Sequence, residues 1–241
     1  MTMEIPGPAV RLGILVPSSN SNAEGITARM LKDQPDISVH YSRFPLPANP
    51  DEPIDRSVLG NAPSLLRDVE IEGLAFHGTS GSWTGLEAEQ RLCQTLAEAV
   101  GAPVTTASTA MIAALHALSA RQISVVFLGP SELIPVIQTE YANHDLEITG
   151  SASSKVAMSN QEIGRLDRQS IESLMRPAFD VDADAVVCIG TNLRSGYLAA
   201  AFEAEYGVPV IDSGTATLWH LLRIAGVGRP IPGWGRLMET G

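Results

Sequence analysis

Short apolar runs that end in Gly, Pro, Ser or Thr recur along the chain, and they constrain its fold more than any other feature. Each run is typical of a buried strand that enters a polar turn: RLGILVPSSN, IEGLAFHGTSG, APVTTAS, ISVVFLGPSE, ADAVVCIGTN and VPVIDSG. Segments with helical periodicity, such as LEAEQRLCQTLAEAV, lie between them. This alternation predicts an α/β fold of doubly wound parallel sheet with helices on both faces. Ligands of such sheets bind at the carboxyl ends of the strands, where these turns lie.

An internal repeat is visible when the chain is aligned with itself. The segment GAPVTTASTAMIAALHAL at 101–118 matches GVPVIDSGTATLWHLLRI at 207–224, and HGTSG at 77 matches IGTNL at 189. VPSS at 16 matches GPSE at 129 in the same order. Chance similarity is an alternative, because the strands and turns of α/β proteins resemble one another in composition.

The repeat predicts two pseudosymmetric halves with the active site in the cleft between them. We expect the first half to span residues 1–119 and the second to span 120–224. The C-terminal segment 225–241 is expected to return to the first half.

Composition excludes several kinds of partner and site. Acidic residues outnumber basic ones by 27 to 16, and the net charge of −11 disfavours nucleic acid or an anionic membrane surface as a partner. Two cysteines are too few for a disulfide framework or a structural zinc site, and the five histidines show no metal-ligand spacing. No apolar stretch reaches the roughly 18 residues of a membrane span, and no export signal opens the chain. We therefore expect a cytoplasmic protein with reduced thiols and no metal.

Cys188 is the first candidate for chemistry. It stands at the end of an apolar run and is followed by Gly190, Thr191 and Asn192. A thiol at such a strand end is expected to be partly exposed, and the surrounding hydrogen-bond donors favour its thiolate form. The alternative is a buried cysteine that acts as a small hydrophobic side chain.

The glycine-rich stretch HGTSGSWTG at 77–85 is the second candidate. Its glycines allow backbone N–H groups to approach a ligand, and Thr79 and Ser80 add hydroxyl groups, so the loop can hold a carboxylate or an enediolate. It matches neither the serine-hydrolase elbow nor the dinucleotide and P-loop spacings. The alternative is a flexible turn that caps the following helix. His77 adjoins the loop, and the sequence assigns it no role.

A third polar turn, VPSSNSNAE, follows the first apolar run. Pro17 fixes the backbone there, and the polar residues that follow, including Asn20, can cap a helix or donate to an anion. Capping alone requires fewer donors than this turn contains.

Together these motifs resemble the aspartate/glutamate racemase superfamily, within it the branch of maleate cis-trans isomerases and arylmalonate decarboxylases. The resemblance covers nearly the whole chain: RLGILVPSSNSNAE, SNQEIGRL, VVCIGTN, GVPVIDSGTATLWHLLRIAG and PGWGRL are similar to segments of that branch. It implies the two-half α/β fold, a catalytic role for Cys188, and substrate contacts from Asn20 and Asn160. Pro17, Ile189 and Gly190 are expected to line the same substrate site.

The chain departs from the branch at two positions. Where racemases and isomerases have a first-half cysteine, it has Gly78 followed by Thr79 and Ser80, the pattern of the decarboxylase. Where the family has a carboxylate-binding Tyr after a Pro, it has Ser131, which is expected to lie at the same substrate site. Two-base racemisation needs an acid and a base on opposite faces of one carbon, so the glycine disfavours a racemase.

The resemblance therefore implies a cofactor-independent enzyme that forms and protonates an enediolate of a small carboxylate or dicarboxylate. A decarboxylase with Cys188 as proton donor is the first expectation, and the loop at Gly78, Thr79 and Ser80 would hold the retained carboxylate. A maleate isomerase, or a racemase-like isomerase, is the alternative reaction. A carboxylate-binding module without catalysis is the alternative from another class. A homo-oligomer is compatible with all of these.

Overall fold

The computed structural model describes residues 10–46, 54–154 and 156–241, and it contains two parallel sheets. The strands are β1 (Val10–Pro17), β2 (Ile37–Phe44), β3 (Gly73–Phe76), β4 (Val104–Thr106), β5 (Gln122–Phe127), β6 (Glu147–Ser153), β7 (Ala185–Ile189) and β8 (Val210–Asp212). The helices are α1 (Ala23–Met30), α2 (Arg56–Leu59), α3 (Ala62–Arg67), α4 (Gly81–Thr84), α5 (Leu86–Val100), α6 (Ala107–Ala117), α7 (Ile134–Ala142), α8 (Asn160–Ile163), α9 (Arg168–Met175), α10 (Ala199–Tyr206), α11 (Ser213–Ile224) and α12 (Arg236–Glu239). Short 3-10 turns span Ser131–Leu133, Arg176–Phe179 and Arg194–Tyr197.

The two sheets share one topology. The first has the order β2-β1-β3-β4 and the second has the order β6-β5-β7-β8, so each strand of one half has a counterpart in the other. All pairings are parallel. The predicted α/β fold class is confirmed. The division at residue 119 falls between the last strand of the first sheet and the first strand of the second, and it stays a prediction.

One apolar layer joins the halves. The inner faces of the central strands contribute Ile14, Ala75, Val125 and Val187 to a single core cluster, together with apolar residues of α6 and α11. These two helices pack against each other, and α11 also contacts β3 and β4 of the first sheet. The outer face of each sheet packs against a separate smaller cluster. The carboxyl ends of both sheets are thereby held at the same cleft.

The C-terminal segment contacts both halves. Arg229 pairs with Asp36 at 2.5 Å, and the backbone N–H of Arg236 donates to Glu203 at 2.8 Å. Because Asp36 precedes β2 and Glu203 lies in α10, the tail contacts the first half, to which it was expected to return, and also the second half. Its assignment to the first half stays a prediction.

Candidate active site

A cavity of about 450 Å³ opens between the carboxyl ends of the two sheets. Its wall is formed by the ends of β1 and β2, by the turns after β3, β5 and β7, and by the segment around α8. Parallel α/β sheets bind ligands at this edge, so the cavity lies where the sequence predicted a site.

Aromatic and aliphatic side chains form much of the cavity wall. The rings of Trp83 and Phe127 lie 5.6 Å apart, and those of Phe44 and Phe76 are stacked at 5.2 Å. Further apolar residues of the wall are Leu46, Ile54, Leu128, Leu133, Met158 and Ile163. This part of the cavity suits an aryl or bulky alkyl group better than a small polar one.

The turn after β3 supplies hydrogen-bond donors. Within the described part of the chain, the backbone N–H groups of Gly78, Thr79 and Ser80 have no acceptor, and the hydroxyls of Thr79 and Ser80 have no partner. All three residues line the cavity. Because unpaired backbone N–H groups on one loop bind an anion, this turn is the place for a carboxylate or an oxyanion.

A buried carboxyl fixes the position of this donor turn. Glu89 of α5 accepts from the backbone N–H of Gly81 at 2.6 Å and from the hydroxyl of Ser108 at 3.1 Å, and Thr106 also donates to it. It therefore joins the first turns of α4 and α6. Burial raises the pKa of Glu89 from an ordinary value of 4.5 to about 7, although these hydrogen bonds lower it.

The raised pKa of Glu89 predicts a stability change with pH. Between about pH 4.5 and 7 the folded chain retains a proton that the unfolded chain releases, so the free energy of unfolding falls as pH rises through that window. The expected loss is up to about 3 kcal/mol, at about 1.4 kcal/mol for each pH unit of difference. Urea unfolding of wild type and Glu89→Gln at several pH values measures it. Equal pH slopes in the two proteins would contradict it.

Asparagine side chains connect the two halves beside the cavity. The amide of Asn20 donates to Thr191 at 3.1 Å, and the amide of Asn160 donates to Ser19 at 2.7 Å. Asn192 in turn donates to the backbone carbonyl of Asn160 at 2.6 Å. The first two bonds fix turns of one half against those of the other, and the third joins α8 to the turn after β7 within the half that contains the second sheet.

The structure brings together most of the predicted site residues. Those at the cavity wall are Pro17, Gly78, Thr79, Ser80, Asn160, Ile189 and Gly190. Three predicted residues lie outside that wall. Asn20 is buried and bonded to Thr191, Ser131 begins an exposed 3-10 turn, and Cys188 lies within β7. The substrate contacts of all these residues stay predictions.

Cys188 is not at the polar turn. Strand β7 continues to Ile189, so Cys188 is an inner residue of the strand and its side chain is 0% exposed. It packs in the outer cluster with Val186 and Phe202, whereas Ile189 belongs to the layer between the sheets. The expectation of a partly exposed thiol is wrong, because neighbouring residues of a strand face opposite sides of the sheet.

The environment of Cys188 favours the thiol form. Burial is the main cause that raises its pKa to about 12, and the nearby charge of Asp212 adds to it. A hydrogen bond with Ser195 acts in the opposite direction. The expected preference for thiolate is therefore also wrong. A role for Cys188 as proton donor stays a prediction, and it requires the thiol to reach the cavity from the far face of the sheet.

Gly190 takes the place at the cavity wall that was expected for the thiol. The internal repeat pairs it with Gly78, and both glycines line the cavity. Its φ of +133° is a conformation that favours glycine. Each half therefore presents a glycine at equivalent positions of the cleft.

His77 is a site residue to which the sequence assigned no role. It lines the cavity and is only 1% exposed, and neither ring nitrogen has a hydrogen-bond partner among the described residues. Burial lowers its pKa from 6.5 to about 4, so the free imidazole is neutral at pH 7. Its position directly before the glycine loop was the signal that could have identified it.

Residues 10–46, 54–154 and 156–241 contain no group of three or more His, Cys, Asp or Glu side chains arranged to hold a metal ion. No helix in those ranges is long and apolar enough to cross a membrane.

Comparison with known proteins places the chain among enzymes that act on small carboxylates. The arylmalonate decarboxylase family model matches residues 50–238. The chain is 27% identical to an arylmalonate decarboxylase of Bordetella bronchiseptica, covering 95% of this chain and 96% of the relative. It is 25% identical to a maleate isomerase of Geobacillus stearothermophilus, covering 95% and 97%.

A solved structure supports the fold. The maleate isomerase Iso from Pseudomonas putida S16 superposes with a TM-score of 0.85 at 21% identity, covering 96% of this chain and 98% of that one. The predicted resemblance and the prediction of an enzyme of this branch are confirmed. The chain belongs to the arylmalonate decarboxylase family, in the branch of the aspartate/glutamate racemase superfamily that also contains the maleate isomerases.

Proposed function

We propose that this enzyme decarboxylates a malonate that carries an aryl or bulky alkyl group on its central carbon. The observation that carries the proposal is one cavity whose wall combines aromatic side chains with the 78–80 turn, whose donors have no partner among the described residues. The donors fit the carboxylate that is retained, and the aromatic wall fits the side group.

The cavity supports this reaction by two physical effects. The carboxylate that leaves is placed against apolar side chains, where its charge is poorly solvated and its loss as uncharged CO₂ is favoured. The carbon–carbon bond breaks, and its electron pair remains as an enediolate dianion whose oxygens accept from the 78–80 turn. A proton then adds to the α-carbon and gives the monocarboxylate. No redox step is required.

Maleate isomerisation is the second candidate. It is supported by the similarity to maleate isomerases and by Asn160, whose side chain reaches the cavity wall. Isomerisation by transient addition to the double bond needs a nucleophile, and Cys188 would have to leave its buried position to supply one.

A substrate panel tests the proposed reaction. Phenylmalonate, butylmalonate, unsubstituted malonate and maleate are incubated with the enzyme, and CO₂ and products are quantified. We expect CO₂ from phenylmalonate and butylmalonate, much less from malonate, and no fumarate from maleate. Fumarate without CO₂ would establish the isomerase. Binding of the dicarboxylates without any turnover would establish a carboxylate-binding module instead.

We also propose a cytoplasmic location, supported by two free cysteines, of which Cys93 is half-buried and Cys188 buried. Fractionation of the producing cells tests this. A homo-oligomer stays a prediction, and light scattering on the purified protein measures its mass.

A further inference from the structure

His77 is held at the cleft by its backbone. Its N–H donates to Leu15 of β1 at 2.9 Å, and its carbonyl accepts from the hydroxyl of Thr191 in the other half at 3.3 Å. A Cβ added at Gly214, in the first turn of α11, would lie 3.8 Å from the Cε1 atom of the ring. The imidazole is therefore enclosed by elements of both halves.

The ring has no structural hydrogen bond. Both Nδ1 and Nε2 are buried and without a partner in the described residues. A buried polar group without a partner is unfavourable, so such groups are rare and need an explanation. His220 shows the usual solution, because its Nδ1 bonds to the hydroxyl of Thr105 at 2.7 Å. His77 thus keeps a costly arrangement at the wall of the candidate active site.

The cavity wall offers no other group with comparable chemistry. Among its described residues, His77 alone has a side chain that titrates. The neighbouring Gly78 and the equivalent Gly190 have no side chains, and Cys188 faces the other side of its strand. A proton that reaches a bound carbanion from the wall must therefore come from this imidazole or from a hydroxyl.

We propose that His77 is the catalytic residue that delivers the proton to the α-carbon of the enediolate. This inference rests on the proposed decarboxylation. In the step, an N–H bond of the imidazolium breaks and a C–H bond forms at the α-carbon. The ring becomes neutral, and solvent returns the proton before the next turnover.

The substrate itself supplies the charge that this step needs. In the free protein burial keeps the imidazole neutral, and a malonate dianion beside it favours the imidazolium form. The ionisable groups on neighbouring elements are Asp212 at the start of α11 and Glu89 of α5, and both carboxyls already accept hydrogen bonds from their own donors. Binding should therefore take up one proton, and kcat/KM should fall about tenfold per pH unit above the pKa of the free ring.

Variants of His77 test the proposal. We expect His77→Gln and His77→Ala to lose at least a hundredfold in kcat on phenylmalonate, with KM changed less than fivefold. Added imidazole should restore part of the turnover of His77→Ala and none of that of His77→Gln. His116→Gln, on the exposed side of α6, is the matched control. Thermal unfolding of each variant checks that it is folded.

Three results would overturn the proposal. One is His77→Gln with kcat within threefold of wild type. Another is loss of turnover in Cys188→Ala while His77→Gln stays active, which would return the role to the thiol. The third comes from nitrogen NMR of the histidine rings with bound benzylphosphonate, a non-reactive dianion. We expect the His77 ring signals to move to imidazolium values when it binds. Unchanged signals would reject the proposal even if no substrate is turned over. If the wild-type enzyme turns over none of the substrates but benzylphosphonate still protonates His77, only the proposed decarboxylation is rejected.

Discussion

Thr79→Val should lower kcat on phenylmalonate by about 10²- to 10³-fold, the usual effect of removing one donor from an oxyanion site. Thr79 lines the cavity and its hydroxyl has no partner in the part of the chain that the structure describes, so it is free to donate to charge that develops on the enediolate. Valine has nearly the same shape and keeps the backbone N–H, so KM should change little.

Thr139→Val is the matched control for this prediction. It is the same change on the exposed side of α7, where the hydroxyl bonds only to the carbonyl of Pro135. Steady-state kinetics of Thr79→Val, Thr139→Val and Ser80→Ala on phenylmalonate compares the contributions of the Thr79 and Ser80 hydroxyls to kcat. A Thr79→Val enzyme with kcat within threefold of wild type would show that the turn does not hold the reacting carboxylate.

Glu89→Leu should lower the free energy of unfolding by about 2–4 kcal/mol, because it leaves the buried donors of Gly81 and Ser108 without an acceptor and removes one of the two acceptors of Thr106. It should also lower kcat, since the bond to Gly81 holds the start of α4 directly after the donor turn. Glu89→Gln keeps an acceptor oxygen and should cost less.

The control for Glu89→Leu is Glu87→Leu, two residues earlier on the same helix, where the side chain is 85% exposed and pairs with Arg91. Exposed ion pairs contribute little, so its free energy of unfolding should stay within about 1 kcal/mol of wild type. Urea unfolding at pH 8 measures both. Equal losses in the two variants would contradict the structural role of Glu89.

The sequence predicted six of the eight described strands, including the edge strands β4 and β8, and missed one edge strand of each sheet. Apolar runs such as ILV and VVFL are buried on both faces, and they are the inner strands β1 and β5. The edge strands β2 and β6 were not among the predicted runs. Their sequences, ISVHYSRF and EITGSAS, are partly exposed and rich in polar residues, so they lack the continuous apolar run by which the other strands were predicted.

The sequence predicted which turns form the site, but not which way the strand side chains beside them point. The 78–80 turn and Gly190 lie at the cavity as expected, since a strand end fixes where the following loop begins. The side chain of Cys188 could not be placed in this way, because one residue more or less in a strand reverses the face of every side chain. The bond from Asn20 to Thr191 joins residues 171 positions apart, which no local pattern indicates.

Proton NMR of phenylmalonate in D₂O with the wild-type enzyme tests most directly whether this cleft forms an enediolate. We expect phenylacetate with one deuterium at the α-carbon, formed together with CO₂ and much more slowly in Thr79→Val. Unchanged phenylmalonate, or phenylacetate formed equally fast by wild type and Thr79→Val, would contradict the assignment of the 78–80 turn to enediolate stabilisation.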